Sequence, residues 1–396
     1  MGPLDDIKVI EMGQLIAGPY CGQYLADFGA QVAKIEPPGT GDAMRQWGRS
    51  DQHGECVWWR VIGRNKRSVT LDLRRPEGQD VLRRLAAGAD VLVENFRPGT
   101  LERWGVGWDA LSEINPRLVM VRITGFGQDG PYAGRAGFAA VCEAMGGMRY
   151  VTGYPDRPPV RAGISIGDTL AGLHGALGAL MALHERERSG RGQLVDSSIH
   201  ESVMGVMESL VAEYDRLGHI RERSGGKLPG LAPSNAYPAA DGREVIIGAN
   251  QDTVFWRLCQ VMGAPELAND PRYADHQARG WNQDELDERL AQWTGTLDAD
   301  TLVERLSEAG VPAGLVYRAP EMLADPHIQA RESIVRVADE HFGDIAMQNC
   351  FPRLSRTPGT VRQTGPALGA HTKEVLRDWA GIDAASIATL RAQGMI

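Results

Sequence analysis

Ile7-Lys-Val-Ile-Glu-Met-Gly-Gln-Leu-Ile-Ala-Gly-Pro-Tyr-Cys-Gly-Gln-Tyr-Leu-Ala-Asp-Phe-Gly-Ala-Gln-Val-Ala-Lys-Ile-Glu36 is the stretch on which the fold turns. Residues 7–11 are a short apolar run, residues 19–28 suit a helix, and residues 31–36 are a second apolar run stopped by Pro37 and Pro38. Strand, helix and strand in immediate succession build a parallel sheet, because parallel neighbours need a crossover between them. Further on, residues 68–73 alternate as a third strand, and Pro76 suits the first turn of a helix running to residue 87. Residues 91–94 and 118–124 are apolar enough for strands buried on both faces. This order predicts an α/β fold, a Rossmann-like parallel sheet covered by helices.

At 396 residues the chain can bury a large core and divides most simply into two domains. Two long helices are expected at 168–188 and 196–217, separated by Ser189-Gly-Arg-Gly192, which is good stop chemistry. Gly172, Gly175 and Gly178 recur every three residues on the first helix. Glycine costs helix stability, so the stripe points to close backbone packing. Glycine and proline cluster with basic residues at 221–233, which reads as a linker. Residues 234–318 read as a smaller α+β domain, with strands at 244–247 and 314–317 and helices at 253–262, 283–294 and 301–309. From residue 319 the chain loosens into a return linker, 319–331. Residues 332–396, with a strand at 345–347 and helices at 369–379 and 384–392, complete the large domain begun by residues 1–220.

Composition excludes several function classes. The net charge of −9 argues against nucleic acid as a partner, since phosphate backbones need a basic face. With 43% apolar and 23% charged residues, global disorder is not expected. Five scattered cysteines without C-x-x-C spacing fit reduced thiols in a cytoplasmic protein. The acidic Met1-Gly-Pro-Leu-Asp-Asp-Ile7 carries no signal-peptide pattern. No apolar stretch reads as membrane-spanning; the longest, near 170–183, is broken by glycines and His174 and reads as a buried helix. Nine histidines show no paired ligand spacing, so no metal is expected.

Three short motifs mislead. Gly125-Phe-Gly-Gln-Asp-Gly130 matches G-x-G-x-x-G, but Pro131, Gly134 and Gly137 follow, so the helix a dinucleotide fingerprint requires does not open. No G-x-x-x-x-G-K-[ST] loop exists: Gly226-Lys227 is followed by leucine. Gly163-Ile-Ser-Ile-Gly167 matches the G-x-S-x-G of hydrolases, yet Arg161-Ala-Gly163 is a poor strand to run into Ser165. Basic residues group at Arg64, Lys66 and Arg67, at Arg74 and Arg75, and at Arg97 and Arg103. A polyanion pocket at strand ends and a solvated charge run are both open readings.

Val160-Arg-Ala-Gly-Ile-Ser-Ile-Gly-Asp-Thr-Leu-Ala-Gly172 ends its glycine-punctuated run in a single carboxylate, Asp168, at the start of a small-residue helix. Free N–H groups and the helix dipole favour an anion there. Gly163 and Gly167 leave it open to a close-approaching ligand. On the residues alone it is a helix cap or a nucleophile.

Taken in order, several blocks resemble the class III CoA-transferases, the family of formyl-CoA, carnitine and succinyl-CoA:dicarboxylate CoA-transferases. They are Ala17-Gly-Pro-Tyr20, Leu25-Ala-Asp-Phe-Gly-Ala-Gln-Val-Ala-Lys-Ile-Glu36, Asn65-Lys-Arg-Ser-Val-Thr-Leu-Asp-Leu-Arg74 and Val93-Glu-Asn-Phe-Arg-Pro-Gly99. Gly125-Phe-Gly-Gln-Asp-Gly-Pro131, Gly163-Ile-Ser-Ile-Gly-Asp168 and Gly190-Arg-Gly-Gln-Leu-Val-Asp196 follow, with weaker similarity as far as Gly369-Ala-His-Thr372. The resemblance implies that Asp168 is the catalytic aspartate. It places CoA contacts on Ile16, Ala17, Leu71, Asp72, Leu73, Arg74, Asn95, Phe96, Arg97 and Arg103. It matches a substrate loop to Gly248, Ala249 and Asn250, though these are far less glycine-rich than the loop in some members. Two positions depart from the pattern: an arginine some members carry after the second strand is Pro37, and an acid many carry two residues after Gly137 is Ala139.

The family implies CoA and its acyl esters as substrates, with no tightly bound cofactor, and a covalent route through an aspartyl anhydride and an aspartyl-CoA thioester. Backbone N–H groups near Ala17-Gly18 or Gly248 are candidate oxyanion donors. It also implies an interlocked homodimer. The segment 231–250 looks most like the dicarboxylate branch, with succinyl-CoA as donor. A dicarboxylate then needs a cationic clamp for its second carboxylate, for which Arg45, Arg149 and Arg161 are candidates. Three other readings stay open: an α-methylacyl-CoA racemase-like isomerase, which would need a second acid/base residue facing Asp168; a non-catalytic CoA-binding protein; and a serine hydrolase acting through Ser165.

Overall fold

The computed structural model describes residues 2–51 and 54–396; Met1, Gln52 and His53 lie outside it. Six strands, β1 (Lys8–Glu11), β2 (Gln31–Glu36), β3 (Lys66–Thr70), β4 (Val91–Glu94), β5 (Val119–Thr124) and β6 (Leu194–Ser198), form one sheet in the order β3-β2-β1-β4-β5-β6. Every pair is parallel, with Val9 beside both Val32 and Val91. Alternate residues serve opposite faces, as the strand period requires. Ile10, Ala33, Ile35, Val69, Leu92 and Met120 join one core, while Val9, Val32, Val91, Val119 and Val121 join the other. Both faces are therefore buried, which is why these strands read as unbroken apolar runs.

Five helices matter for the site: α1 (Ala17–Asp27), α2 (Pro76–Ala87), α3 (Ala139–Met145), α4 (Ile166–Ser189) and α5 (Ile199–Met204). The long helix α4 packs on α1, β5 and β6. The expected glycine stripe does this work. A Cβ at Gly172 would lie 2.7 Å from the Ala17 carbonyl oxygen, and one at Gly178 would lie 2.5 Å from Val195 Cγ1. Side chains there would push the helix off its neighbours. Contrary to expectation, α4 is long and apolar enough by length and composition to cross a membrane. In this structure its apolar residues Ala171, Ala176 and Ala179 are fully buried in the core.

Several expectations are corrected. Residues 196–217 are not one helix. Residues 194–198 are the sixth strand, with Met120 opposite Leu194 and Thr124 opposite Ser198. The Ser198 side chain then caps α5 by accepting from the Glu201 N–H, Gly205 ends it, and Leu210–Leu217 is a separate helix. The region after residue 319 is also more ordered than expected. It holds helices Ala319–Ala324 and Pro326–Ala330 and an antiparallel hairpin, Ile334–Asp339 with Gly343–Gln348. Strand Ser234–Pro238 went unforeseen; it pairs with Glu244–Gly248 in a three-stranded antiparallel sheet completed by Ala313–Leu315.

The chain forms two compact units. One comprises Met1–Arg149, Arg161–Leu210 and His327–Ile396; the other comprises Tyr150–Val160 and Val211–Pro326. Residues 150–160 and 211–220, read from sequence as part of the large domain, thus pack with the second unit. That unit has its own core, in which Tyr237, Val245, Ile247, Phe255, Leu258 and Leu290 are buried.

Candidate active site

Strands β1 and β4 are neighbours, yet the chain leaves them in opposite directions along the sheet, toward β2 and toward β5. The loops at their carboxyl ends therefore diverge and leave a crevice, the favoured ligand position in an open parallel sheet. Asn95, just past β4, ties the two loops together. Its Oδ1 accepts from the Gln14 N–H at 2.8 Å and its Nδ2 donates to the Gln14 carbonyl at 2.9 Å. Leu15 has a φ of 64°, a left-handed conformation unfavourable for a branched side chain. It is held there by donating its N–H to Asp42 Oδ1 at 2.9 Å, and Asp42 is paired with the buried Lys34 at 2.7 Å.

A cavity of about 610 Å³ opens on these loops. Ile16, Ala17, Asn95, Phe96 and Arg97 line it, together with Trp47, Phe138, Arg161, Ser165 and Asp168. Ala17 begins α1, so first-turn N–H groups that a helix leaves unpaired lie at the cavity wall. Arg97 is exposed and makes no ion pair among the described residues.

Asp168 lies in the first turn of α4, and its carboxylate has no hydrogen-bond or ion-pair partner among the described residues. Burial pushes the Asp168 carboxyl up to about 6; the nearby Glu143 carboxylate adds to the rise, and Arg161 opposes it. A carboxylate at a helix N-terminus ordinarily caps it. This one does not, and it fronts a cavity with a raised proton affinity, which is the pattern of a working group.

Not every expected site residue is in this cavity. Leu71 and Leu73 are buried in the core on one face of the sheet. Asp72 binds Arg74 at 2.8 Å, on the surface. Arg103 is exposed and donates to Thr100 Oγ1. The basic groups do not converge: Arg64 is paired with buried Asp27, Lys66 with Glu11, and Arg67 with Glu374. They lie at or just before the amino end of β3, and each is already engaged by an acid.

Of the three clamp candidates, Arg45 is taken up by Glu36, which it grips with Nε at 2.7 Å and Nη2 at 2.8 Å. Arg149 is paired with Glu143 at 3.2 Å. Arg161 alone lines the cavity, where its Nη2 donates to Ser165 Oγ at 3.0 Å. Gly248, Ala249 and Asn250 lie in the second unit. The Gly248 N–H donates to the Pro312 carbonyl and the Ala249 N–H to the Pro233 carbonyl, so neither is a free oxyanion donor.

The misleading motifs resolve as expected. After Gly125 no helix begins before α3. Ser165 is the N-cap residue of α4, no strand leads into it, and no histidine hydrogen-bonds it among the described residues. All five cysteines are free and buried. Among the described residues, no group of three or more His, Cys, Asp or Glu side chains could hold a metal ion. Sequence reasoning missed Trp47, the strained Leu15 and Glu143. Only Glu143 left a trace, as the single charge within the helix Ala139–Met145.

The family model described as CoA-transferase family III matches residues 4–372. The chain belongs to that family, and it is an enzyme that transfers CoA. It is 57% identical over 394 residues to succinyl-CoA–D-citramalate CoA-transferase of Chloroflexus aurantiacus, spanning 100% of this chain and 98% of that protein. It is 35% identical over 382 residues to succinate–glutarate CoA-transferase of Agrobacterium fabrum, spanning 95% of each. A CAIB/BAIF family protein from Brucella suis superposes with a TM-score of 0.86 at 34% identity, covering 96% of this chain and 99% of that one.

Proposed function

We propose that the chain moves CoA from succinyl-CoA to a small dicarboxylic acid, with Asp168 as the covalent carrier. The observation that carries this reading is the unpartnered Asp168 carboxylate fronting the switch-point cavity. The relatives above, named for succinyl-CoA, D-citramalate and glutarate, support the substrate class.

A carboxylate oxygen of Asp168 attacks the thioester carbonyl carbon. The C–S bond breaks, CoA leaves as thiolate, and a mixed anhydride forms. The thiolate attacks the Asp168 carbonyl carbon, the anhydride C–O bond breaks, and the donor departs as carboxylate. The acceptor carboxylate attacks the resulting aspartyl-CoA thioester and expels thiolate. That thiolate attacks the acceptor's acyl carbon, regenerating Asp168 and releasing the new CoA ester. No proton or electron is gained or lost over the cycle, and thioester energy is conserved. The first-turn N–H groups of α1 are suited to stabilise the oxyanions. Arg97 is the cation available to CoA phosphates, and Arg161 to the far carboxylate of the acceptor.

Glu143 does not revive the isomerase reading. It is buried, tied to Arg149 and absent from the cavity lining, so it cannot exchange a proton with a substrate there. Proton abstraction from a CoA ester needs a second group in the cavity itself.

We also infer an interlocked homodimer in the cytoplasm. Leu177 and Met181 on α4 are 46% and 68% exposed, an apolar strip suited to a second copy. The five free, buried thiols suit a reducing compartment. Light scattering on active enzyme should show a dimer; a fully active monomer would overturn that part. A coupled assay over acyl-CoA donors and carboxylic acids tests the rest. Succinyl-CoA with four- and five-carbon dicarboxylates other than succinate should turn over fastest, and equal rates with glutarate and butyrate would contradict the substrate class.

A further inference from the structure

Behind Asp168 sits a second carboxylate that the transfer scheme does not use. Glu143 lies on α3, and its side chain is 1% exposed. Its Oε2 is gripped by Arg149 Nε at 3.2 Å, and its Oε1 accepts from the Gly167 N–H at 3.4 Å. Gly167 is what admits it: a Cβ there would lie 3.1 Å from Glu143 Cγ and 3.1 Å from Ile199 Cγ2. Glu143 therefore satisfies one of the first-turn N–H groups that α4 leaves unpaired, on the residue just before Asp168.

We propose that the Glu143–Arg149 pair is a positioning device for Asp168: it satisfies the helix terminus beside Asp168 and sets the charge against which the carboxylate works. The proposal rests on Asp168 being the acylated group. An ionised Asp168 beside Glu143 is held at raised free energy in a partly dry site. Acylation converts it to a neutral anhydride or thioester and relieves that repulsion, so the pair favours the loaded state.

The groups around Asp168 are few. From α3 come Glu143 and Cys142; burial pushes the Cys142 thiol up to about 11, and Asp168 and Glu143 both add to it. Arg161 acts from the preceding loop. Of the other elements packed on α4, α1 carries Tyr20, Cys21, Tyr24 and Asp27, the last paired with Arg64. Strand β5 carries Arg122, bound by Glu94 and Glu102, and β6 carries Asp196, which accepts from the Gln128 N–H. On α5, His200 faces the Gly125 carbonyl and Glu201 the Ser198 hydroxyl. Among the described residues, Glu143 is thus the carboxylate acting on Asp168, and its own compensation, Arg149, can be removed separately.

Opposite shifts separate this role from a merely structural one. The pH dependence of acyl loading on Asp168, read by mass after a single turnover with succinyl-CoA, should fall off on the acid side near pH 6 in the parent enzyme. Glu143→Gln should move that limb down by about half a pH unit or more and lower kcat at pH 8 severalfold, up to about tenfold, with KM little changed. Arg149→Gln, which leaves Glu143 uncompensated, should move the limb up. Glu143→Asp should restore most of the parent profile. Both limbs moving the same way, or neither moving, would overturn the proposal, as would both variants being insoluble, since that would assign the pair to folding. No load on Asp168 even in the parent enzyme would instead remove the carrier reading itself.

Discussion

Two groups of buried charge lie on either side of the first helix, and they are built on opposite rules. Beneath α1, Lys34 binds Glu11 at 2.9 Å and Asp42 at 2.7 Å, and Lys66 binds Glu11 at 2.9 Å and the Pro19 carbonyl at 2.6 Å. Burial works against the Lys34 charge, but Asp42 and Glu11 outweigh it and push its pKa up. Burial likewise opposes ionisation of Asp42, and Lys34 reverses that. Opposite charges alternate, and each fixes the next. At the start of α4 the arrangement is reversed. Asp168 has a like charge behind it and no hydrogen bond of its own, and its proton affinity is raised. The first cluster holds a strained loop at Leu15 in place, and the second keeps a carboxylate available. Pairing spends charge on structure, whereas withholding a partner reserves it for chemistry.

The comparison can be broken first at the paired side. Lys34→Met leaves Glu11 and Asp42 buried without their shared cation and should cost about 3–5 kcal/mol in urea unfolding. A loss well under 1 kcal/mol would show that the cluster is not what fixes the loop.

On the unpaired side the sign reverses. The Asp168 carboxyl is raised from its ordinary 3.8 to about 6 in the folded chain. Its contribution to stability is full below the unfolded value and is lost as pH rises through about 6. Asp168→Asn should therefore stabilise the fold at pH 8, by up to about 3 kcal/mol, and do nothing near pH 3.5. Melting curves at the two pH values check this, and destabilisation at pH 8 would mean that Asp168 is a structural cap after all.

A smaller effect is expected at Arg161. Its replacement by alanine should lower kcat/KM for a dicarboxylate acceptor by about 2 kcal/mol, the low end for a charge pair because this arginine is exposed. Butyrate transfer should change little. Equal losses for both acids would show that Arg161 positions Ser165 or the loop rather than a second carboxylate.

What the sequence disclosed and what it hid follow one physical line. Helices 76–87, 283–294 and 384–392 and strand 91–94 lie where periodicity and end signals put them, because those signals are local. Strand Leu194–Ser198 was misread because its Leu-Val-Asp-Ser-Ser run is short and leads straight into a helix; only its pairing with β5 makes it a strand. The cavity residues Ile16, Ala17, Asn95, Phe96, Arg97 and Asp168 were legible through ordered motifs. Arg45 and Gly248 were not, since what disqualifies them, Glu36 and the Pro312 carbonyl, is a matter of tertiary partnership. The same holds for Glu143, which meets Gly167 only across the fold.

The central claim, that the unpartnered carboxylate is the carrier, is tested most directly by trapping. The enzyme is incubated with succinyl-CoA, quenched with hydroxylamine or borohydride, digested and mapped by mass. Modification is expected at Asp168 and not at Ser165, with loss of both label and exchange in Asp168→Ala. Label on Ser165, or full exchange activity in Asp168→Ala, would contradict it.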